Sequence, residues 1–460
     1  MPQTDFTPNL PVPPRADAAP AKSPAWFMRT MADRGHNSLK KAGEYWQNLG
    51  PGLTTGAADD DPSGIATYSQ TGSQYGFRLL WLAAFSFPLM AVIQEMCARI
   101  GLVTGRGLAG NIRLYYSKKI LYFCTVLLFV ANTFNIGADL GAMAQAAQLL
   151  NPALSFTLLV IAFTAFSLLL QIFSSYRQYA QYLKWLALIL FAYVLSALFV
   201  HLDGRQLLLH TFLPHLTFSP GEIFIVCAIL GTTISPYLFF WQTSQEVEEQ
   251  ILGGRTSLKL RRSAVTPQEL KKMRVDIWSG MFFSNLVMFF IIVTCGATLY
   301  SNGIHNIQSA AEAALALRPL AGPYTFLLFA FGIIGTGFLA VPVLAGSTAY
   351  ALAEAAGWKQ GLYRKLHAAY AFYGVIAASM ILGMAMNFFR LDPIKLLIYS
   401  AVLNGLIAPV ILVLIVQLSS DPKVMNSHAN GPLKSALGWL IALLMTLVGA
   451  ATIAVLIVPR

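Results

Sequence analysis

Residues 50–81 read GPGLTTGAADDDPSGIATYSQTGSQYGFRLLW. Small and apolar residues on both sides suit a membrane span, yet Asp59, Asp60 and Asp61 stand in the middle, followed by Pro62, Ser63 and Gly64. Ionisable groups at membrane depth are rare and usually face a cavity, a partner or an ion path. Proline and glycine beside them break the helix and free backbone carbonyls, which is tolerated only where the backbone lines protein or water. Acid groups next to loose carbonyls in mid-membrane point to a cation site. The plainer alternative is a polar loop between two short helices.

The rest of the chain supports a membrane setting. Of its 460 residues 56% are hydrophobic and 11% charged, with a mean hydropathy of +0.60. Soluble domains carry about 25% charged residues. A span takes about 20 apolar residues, and the pattern predicts eleven, at 50–75 (broken at 61–64), 78–104, 119–148, 153–173, 181–201, 221–252 (broken near 235), 276–300, 324–356, 367–388, 394–418 and 433–458. Residues 1–47 are Pro- and Ala-rich without an apolar core, so a disordered tail is expected there and no cleavable signal peptide.

The net charge of +11 could suit a nucleic acid, but the charges sit in loops, as topology signals do. Eleven spans put four basic segments on one side: the N-terminal tail and the 104–119, 253–275 and 357–366 loops. The positive-inside rule then makes the N-terminus cytoplasmic and the C-terminus extracytoplasmic, in a multi-pass protein of the cell membrane. A lipid bilayer is the expected setting, a monomer the expected state, and no nucleic-acid partner is expected. The four cysteines lie inside apolar segments without a CxxC pair, so buried packing is expected rather than a disulfide or zinc site. No phosphate loop and no nucleophile–base arrangement stands out, which argues against an enzyme, and no cofactor is expected.

A second polar break lies five spans after the first, at Ser235-Pro236 within GTTISPY (231–237). Five is odd, so the halves at 48–201 and 202–418 would be inverted repeats, with 419–460 an appended eleventh span. Paired broken helices in an inverted repeat mark a midplane transporter site. Two ordinary proline kinks are the plainer alternative; the acid cluster favours the site. The fold class expected is therefore all-α integral membrane, an inverted 5+5 repeat of the leucine-transporter type with broken helices 1 and 6.

The 50–81 stretch, with IQEMCARIGLVTGRGLAGNIR (93–113), LAGSTAYALAEAAGW (344–358) and PIKLLIYSAVLNGLIAPV (393–410), resembles the NRAMP family of divalent-metal transporters over about residues 50–420. Members carry an Asp-Pro-Gly-Asn break in span 1 and a Met in span 6 that help hold the ion. The resemblance implies that Asp61 is the acidic ligand and that the carbonyls of Ala58 and Thr232 contribute. It places Gly64 at the Asn position, Ser235 at the Met position, Tyr237 at a family His, and Asn404 at a polar Gln of span 10. In span 3, Asp139 matches a family Asp, while Ala142 replaces a Glu linked to proton movement.

These departures favour hard ions. A thioether is a soft ligand, whereas carboxylate, hydroxyl, carbonyl and water suit magnesium, which sheds water reluctantly. The lost Met and Asn side chains are also expected to leave volume for a partly hydrated ion. The chain is most similar to the NRAMP-related magnesium transporter branch, in which manganese is also carried and tight proton coupling is absent. The expected activity is import of Mg2+ or Mn2+ as substrate. The alternatives are a proton-coupled Mn2+/Fe2+ symporter of the ordinary type, a sodium-coupled carrier of an organic solute, and a non-transporting metal sensor.

Beside the core ligands, Asp59 and Asp60 point about 100° apart along a helix and are candidates for the ion path. Asp139, Asn135 and Asn132 form a polar stripe on span 3, which suits either a path or interhelical hydrogen bonds. Glu95 and Arg99 are spaced for an intrahelical ion pair. Gln242, Glu246 and Glu249 would make an acidic helix end, serving an exit vestibule or simply solvated.

Overall fold

The computed structural model describes residues 50–173, 191–200, 202–263, 265–389 and 391–457. The expected tail at 1–47 lies outside them, as does most of the expected span at 181–201. Among the described residues every regular element is a helix. The principal ones are α1 (Pro51–Asp59), α2 (Pro62–Tyr75), α3 (Trp81–Thr104), α4 (Leu108–Tyr115), α5 (Lys118–Leu150), α6 (Phe156–Phe173), α7 (Phe191–Leu198), α8 (Pro220–Thr233), α9 (Pro236–Leu252), α10 (Pro267–Thr298), α11 (Thr325–Ala356), α12 (Tyr370–Met386), α13 (Pro393–Ser420) and α14 (Pro432–Ile457).

Nine helical segments among the described residues are long and apolar enough to cross a membrane. The first expected span is not one of them, because its break leaves pieces of 9 and 14 residues. The break falls at Asp60 and Asp61, slightly before the expected 61–64. Pro62 takes the first helical position of α2, where its missing N–H costs nothing and its fixed φ suits the helix. Asp61 is extended and caps α2 by accepting the Gly64 N–H. The second break, Ile234 and Ser235 ahead of Pro236, repeats this plan with one difference. The Ser235 hydroxyl turns back and donates to the Gly231 and Thr232 carbonyls at 2.6 Å, satisfying the frayed end of α8.

Helix α10 starts nine residues before the expected 276. Thr266 and Glu269 form a capping box and Pro267 opens the helix. Lys271, Lys272 and Arg274 therefore sit on helical turns rather than in a loop.

Glycines set the closest helix crossings. A Cβ at Gly280 of α10 would stand 2.1 Å from the Gly52 carbonyl oxygen of α1, and one at Gly56 would stand 2.3 Å from that of Gly280. Small residues let membrane helices approach this closely. Asp276 of α10 then accepts the Gly50, Gly52 and Leu53 amides, which serves the orphan N–H groups and the positive end of α1. The first broken helix packs on α10, while of the second α8 packs on α13 and α9 on α3. Helices α5 and α11 form the most extensive pair, at the centre.

Residues from three of the four basic segments, Arg106, Arg113, Arg261, Lys359 and Arg364, line one cavity, so these loops share a face. All four cysteines are buried and unpaired.

The expected Glu95–Arg99 pair does not form. Glu95 instead accepts from Arg274 Nε (3.1 Å) and Trp278 Nε1 (3.0 Å) of α10 and from Lys434 of α14. Arg99 turns to Asn430. A buried carboxylate reached by donors on two neighbouring helices gains more than from one partner on its own. Glu95→Gln should lower the thermal midpoint of the purified protein by a few degrees, and added salt should shrink the difference. An unchanged midpoint would show that the three-helix junction is held by packing alone.

Candidate metal site

The N-cap position of α2 fixes Asp61 between the two breaks. Its Oδ1 accepts the Gly64 N–H (2.7 Å) and the Ser63 hydroxyl (2.6 Å), and its Oδ2 accepts from Asn135 Nδ2 of α5 (3.0 Å). Asn135 is itself oriented by Ser400 of α13, whose hydroxyl donates to its Oδ1 at 2.8 Å. Asp61 is buried, and no Lys, Arg or His pairs with it among the described residues. Its charge is therefore met by neutral donors only.

Three further carboxyl groups are buried nearby. Asp59 accepts from Ser284 of α10 (2.6 Å) while its Oδ1 has no partner. Asp60 Oδ1 has none, and Asp139 of α5 has none at either oxygen. Asp139 lies within electrostatic reach of Asp61. Buried polar atoms are normally hydrogen-bonded, so this much unmet acceptor capacity in one region calls for protons, water or a cation. Among the described residues no three His, Cys, Asp or Glu side chains converge on a point that could hold a metal. A metal here would rest on one or two carboxylates plus neutral oxygens and water.

The remaining expected residues fall into smaller groups. The Tyr237 hydroxyl donates to the Ala58 carbonyl at 2.8 Å, joining the two broken helices. The Thr232 carbonyl receives the Ser235 hydroxyl, and Thr232 Oγ1 lies 3.1 Å from the Tyr68 hydroxyl. Each carbonyl keeps a second lone pair. Asn404 of α13 is buried with Oδ1 unpartnered, next to the Gly405 contact on Gly231. At Gly64 the expected free space is partly filled: a Cβ would meet the Tyr68 ring at 3.3 Å and the Asp59 carbonyl at 3.2 Å.

The polar stripe on α5 divides. Asn132 donates to the Leu344 carbonyl, Ser347 and Thr348 of α11, an interhelical tie, while Asn135 reaches Asp61. The acidic end of α9 divides too. Gln242 and Glu246 are buried in a chain from Thr55, and Glu249 is exposed. Ser63, Tyr68, Ser284 and Ser400 take part in the site without having been singled out from the sequence. Ser63 and Tyr68 lie beside the break and could have been; a single serine in an apolar helix gives no signal.

Residues 52–455 match the family described as natural resistance-associated macrophage protein-like (Nramp). The chain belongs to the Nramp family. A curated relative, the divalent metal cation transporter MntH of Caldanaerobacter subterraneus subsp. tengcongensis, is 27% identical over 414 residues, covering 88% of this chain and 91% of its own. Among solved structures, the Eremococcus coleocola manganese transporter in complex with an aromatic bis-isothiourea compound aligns with a TM-score of 0.68 at 17% identity, over 88% of this chain and 86% of that one. Mhp1, a nucleobase-cation-symport-1 family transporter in a closed conformation, aligns at 0.55 and 12% identity, over 88% and 91%. At these identities the likeness concerns the fold. It is the expected leucinetransporter-type helical fold, and this Nramp chain has its two broken helices.

Proposed function

We propose that this Nramp chain carries divalent metal cations across the cell membrane as a multi-pass transporter, taking Mg2+ and Mn2+ as substrates without tight proton coupling. The observation that carries this reading is Asp61, a buried carboxylate in a helix break whose partners are all neutral. The surrounding donors are hard: the carbonyls of Ala58 and Thr232, the Ser235 hydroxyl and the Tyr237 hydroxyl. Gly64 brings no side chain and Asn404 an unpartnered amide oxygen. Water between the ion and these groups fits magnesium's reluctance to dehydrate. Asp59, Asp60, Asp139 and Asn135 would line the path to and from Asp61. Ala142 lines a small cavity with Ile65, Ser69 and Phe329, none of which carries a carboxylate or imidazole to relay a proton.

The proposed orientation puts the basic-loop face, and with it the N-terminus, in the cytoplasm and the C-terminus outside. The proposed repeats run 48–201 and 202–418, in a monomer. The inside-negative potential would drive uptake, at about 2.3 kcal/mol per charge per 100 mV.

One observation favours the second reading, proton-coupled Mn2+ or Fe2+ symport. Asp139 is buried, near Asp61 and free to accept a proton at either oxygen. Ion flux into proteoliposomes under a negative-inside potential, with internal pH recorded, separates the two. Mg2+ and Mn2+ uptake without acidification is expected. Mn2+ uptake with acidification and no Mg2+ flux would overturn the proposal in favour of the symporter.

A further inference from the structure

We infer that the cavity on the basic-loop face binds a phosphate-bearing anion. It measures about 570 Å³ and lies between the turn after α3, the helix α4, the ends of α9 and α11, and the segments at 256–261 and 357–364. Small-ligand pockets occupy roughly 300–1,000 Å³. Arg106, Arg113, Arg261, Lys359 and Arg364 line it.

Loop charge that only sets topology needs no particular arrangement. Here three separate connecting segments, two of them carrying a short helix, bring their cations around one concavity, and among the described residues none of the five has a carboxylate within ion-pair distance. The heads of three of them are nevertheless fixed. Arg113 donates to the Glu354 carbonyl, Arg364 to that of Gln360, and Arg261 to those of Gly105, Arg255 and Thr256. Neutral partners hold these guanidinium groups in place, and no carboxylate closes an ion pair with them, although Glu248 and Glu354 lie within electrostatic reach of Arg364 and Arg106.

The two acids in the wall offset five cations only in part, and their oxygens are engaged elsewhere. Glu248 accepts the Tyr350 hydroxyl and the Leu362 and Tyr363 amides; Glu354 accepts the Gly110 amide and Gln360 Nε2. Both are buried, and they stiffen the wall from behind. In addition, the buried Ser244 hydroxyl lines the cavity without a partner. Fixed guanidinium groups plus a spare hydroxyl suit the several oxygens and high charge of a phosphate group. A transported cation would be repelled here, so the cavity is no part of the ion path.

A soluble phosphate compound or the headgroup of an anionic lipid would satisfy the same chemistry. The test uses the full chain in nanodiscs of neutral lipid, titrated with inorganic pyrophosphate in a calorimeter, beside nanodiscs containing phosphatidylglycerol, from which retained lipid is measured by mass spectrometry. Saturable pyrophosphate binding is expected, weakened at least about tenfold by Arg113→Gln with Arg364→Gln, and weakened by salt. Retention of phosphatidylglycerol without pyrophosphate binding, lost in the same variant, would assign the headgroup instead. Lys359→Gln, at an exposed position, keeps the test open if the double variant does not fold. Binding of neither probe, or binding that all these variants share with the parent, would overturn the inference.

Discussion

Asp61→Asn should reduce divalent-ion uptake into proteoliposomes at least about 100-fold, by the following magnitudes. Two unit charges 4 Å apart attract by about 4 kcal/mol at an effective dielectric of 20, and a divalent ion doubles this. Each 1.4 kcal/mol is a factor of ten in binding. Even if intervening water removes well over half of the attraction, two orders of magnitude remain. The substitution is chosen to leave the fold intact. Asparagine caps helices about as well as aspartate, and its amide oxygen can still accept the Gly64 N–H and the Ser63 hydroxyl. The bond from Asn135 to Oδ2 becomes a contact between two amide groups, which α5 can accommodate by turning the Asn135 side chain. The variant should therefore melt near the parent, and the loss should appear in flux. Uptake within a few-fold of the parent, from a protein that melts normally, would move the ion away from the first break. Asp139, with both oxygens unpartnered, would then become the leading acidic ligand.

The legible part of this molecule was the part written in local chemistry. Asp61-Pro62 and Ser235-Pro236 each combine a capping residue with a residue that can only begin a helix, so both breaks could be located within three residues. The start of α10 was not legible in the same way. Lys271, Lys272 and Arg274 look like a loop to a hydropathy argument, which reads membrane depth and not helicity, while the helix simply extends beyond the apolar zone. The same blindness hides α1 and α2 from any length criterion, since each half is too short to count as a span.

Partner choice was the other obscure element. Asn132 and Asn135 are three residues apart on one helix and indistinguishable in sequence. One faces α11 and ties two helices, the other faces the break and holds Asp61, and only the packing of the neighbours decides which does what. Glu95 likewise had a partner available at i+4 but found its donors on α10 and α14. The serines at 284 and 400 matter because of the groups opposite them, Asp59 and Asn135. Free volume at Gly64 is smaller than expected for the same reason: the Tyr68 ring, four residues on in sequence, packs beside the glycine and takes part of it.

Gly231→Leu should prevent recovery of folded protein, or lower its thermal midpoint far more than any lipid-facing substitution. Gly231 lies in the last turn of α8, where this helix crosses α13. A Cβ there would stand 2.0 Å from the Ala401 carbonyl oxygen and 2.5 Å from the Gly405 nitrogen. These are backbone atoms, which no rotamer change can move. The partner glycine is equally confined, since a Cβ on Gly405 would meet the Cys227 carbonyl at 2.6 Å. Overpacking an ordinary core costs about 1–3 kcal/mol, and here the helices themselves must separate. That is a large fraction of the 5–15 kcal/mol by which folded proteins are typically stable. Gly374→Leu is the control, because nothing lies within 4 Å of a Cβ at that exposed position of α12; it should melt like the parent. Gly231→Ala should fall between them, with a midpoint lower by several degrees and slower uptake in whatever folds. The effect on uptake follows from position. The turn that would be pushed away carries the Thr232 carbonyl and leads into Ser235, while the helix it is pushed from carries Asn404. A leucine at 231 that melts and transports like the parent would mean that this crossing is looser than its backbone contacts indicate, and that the second break does not depend on α13 for its place.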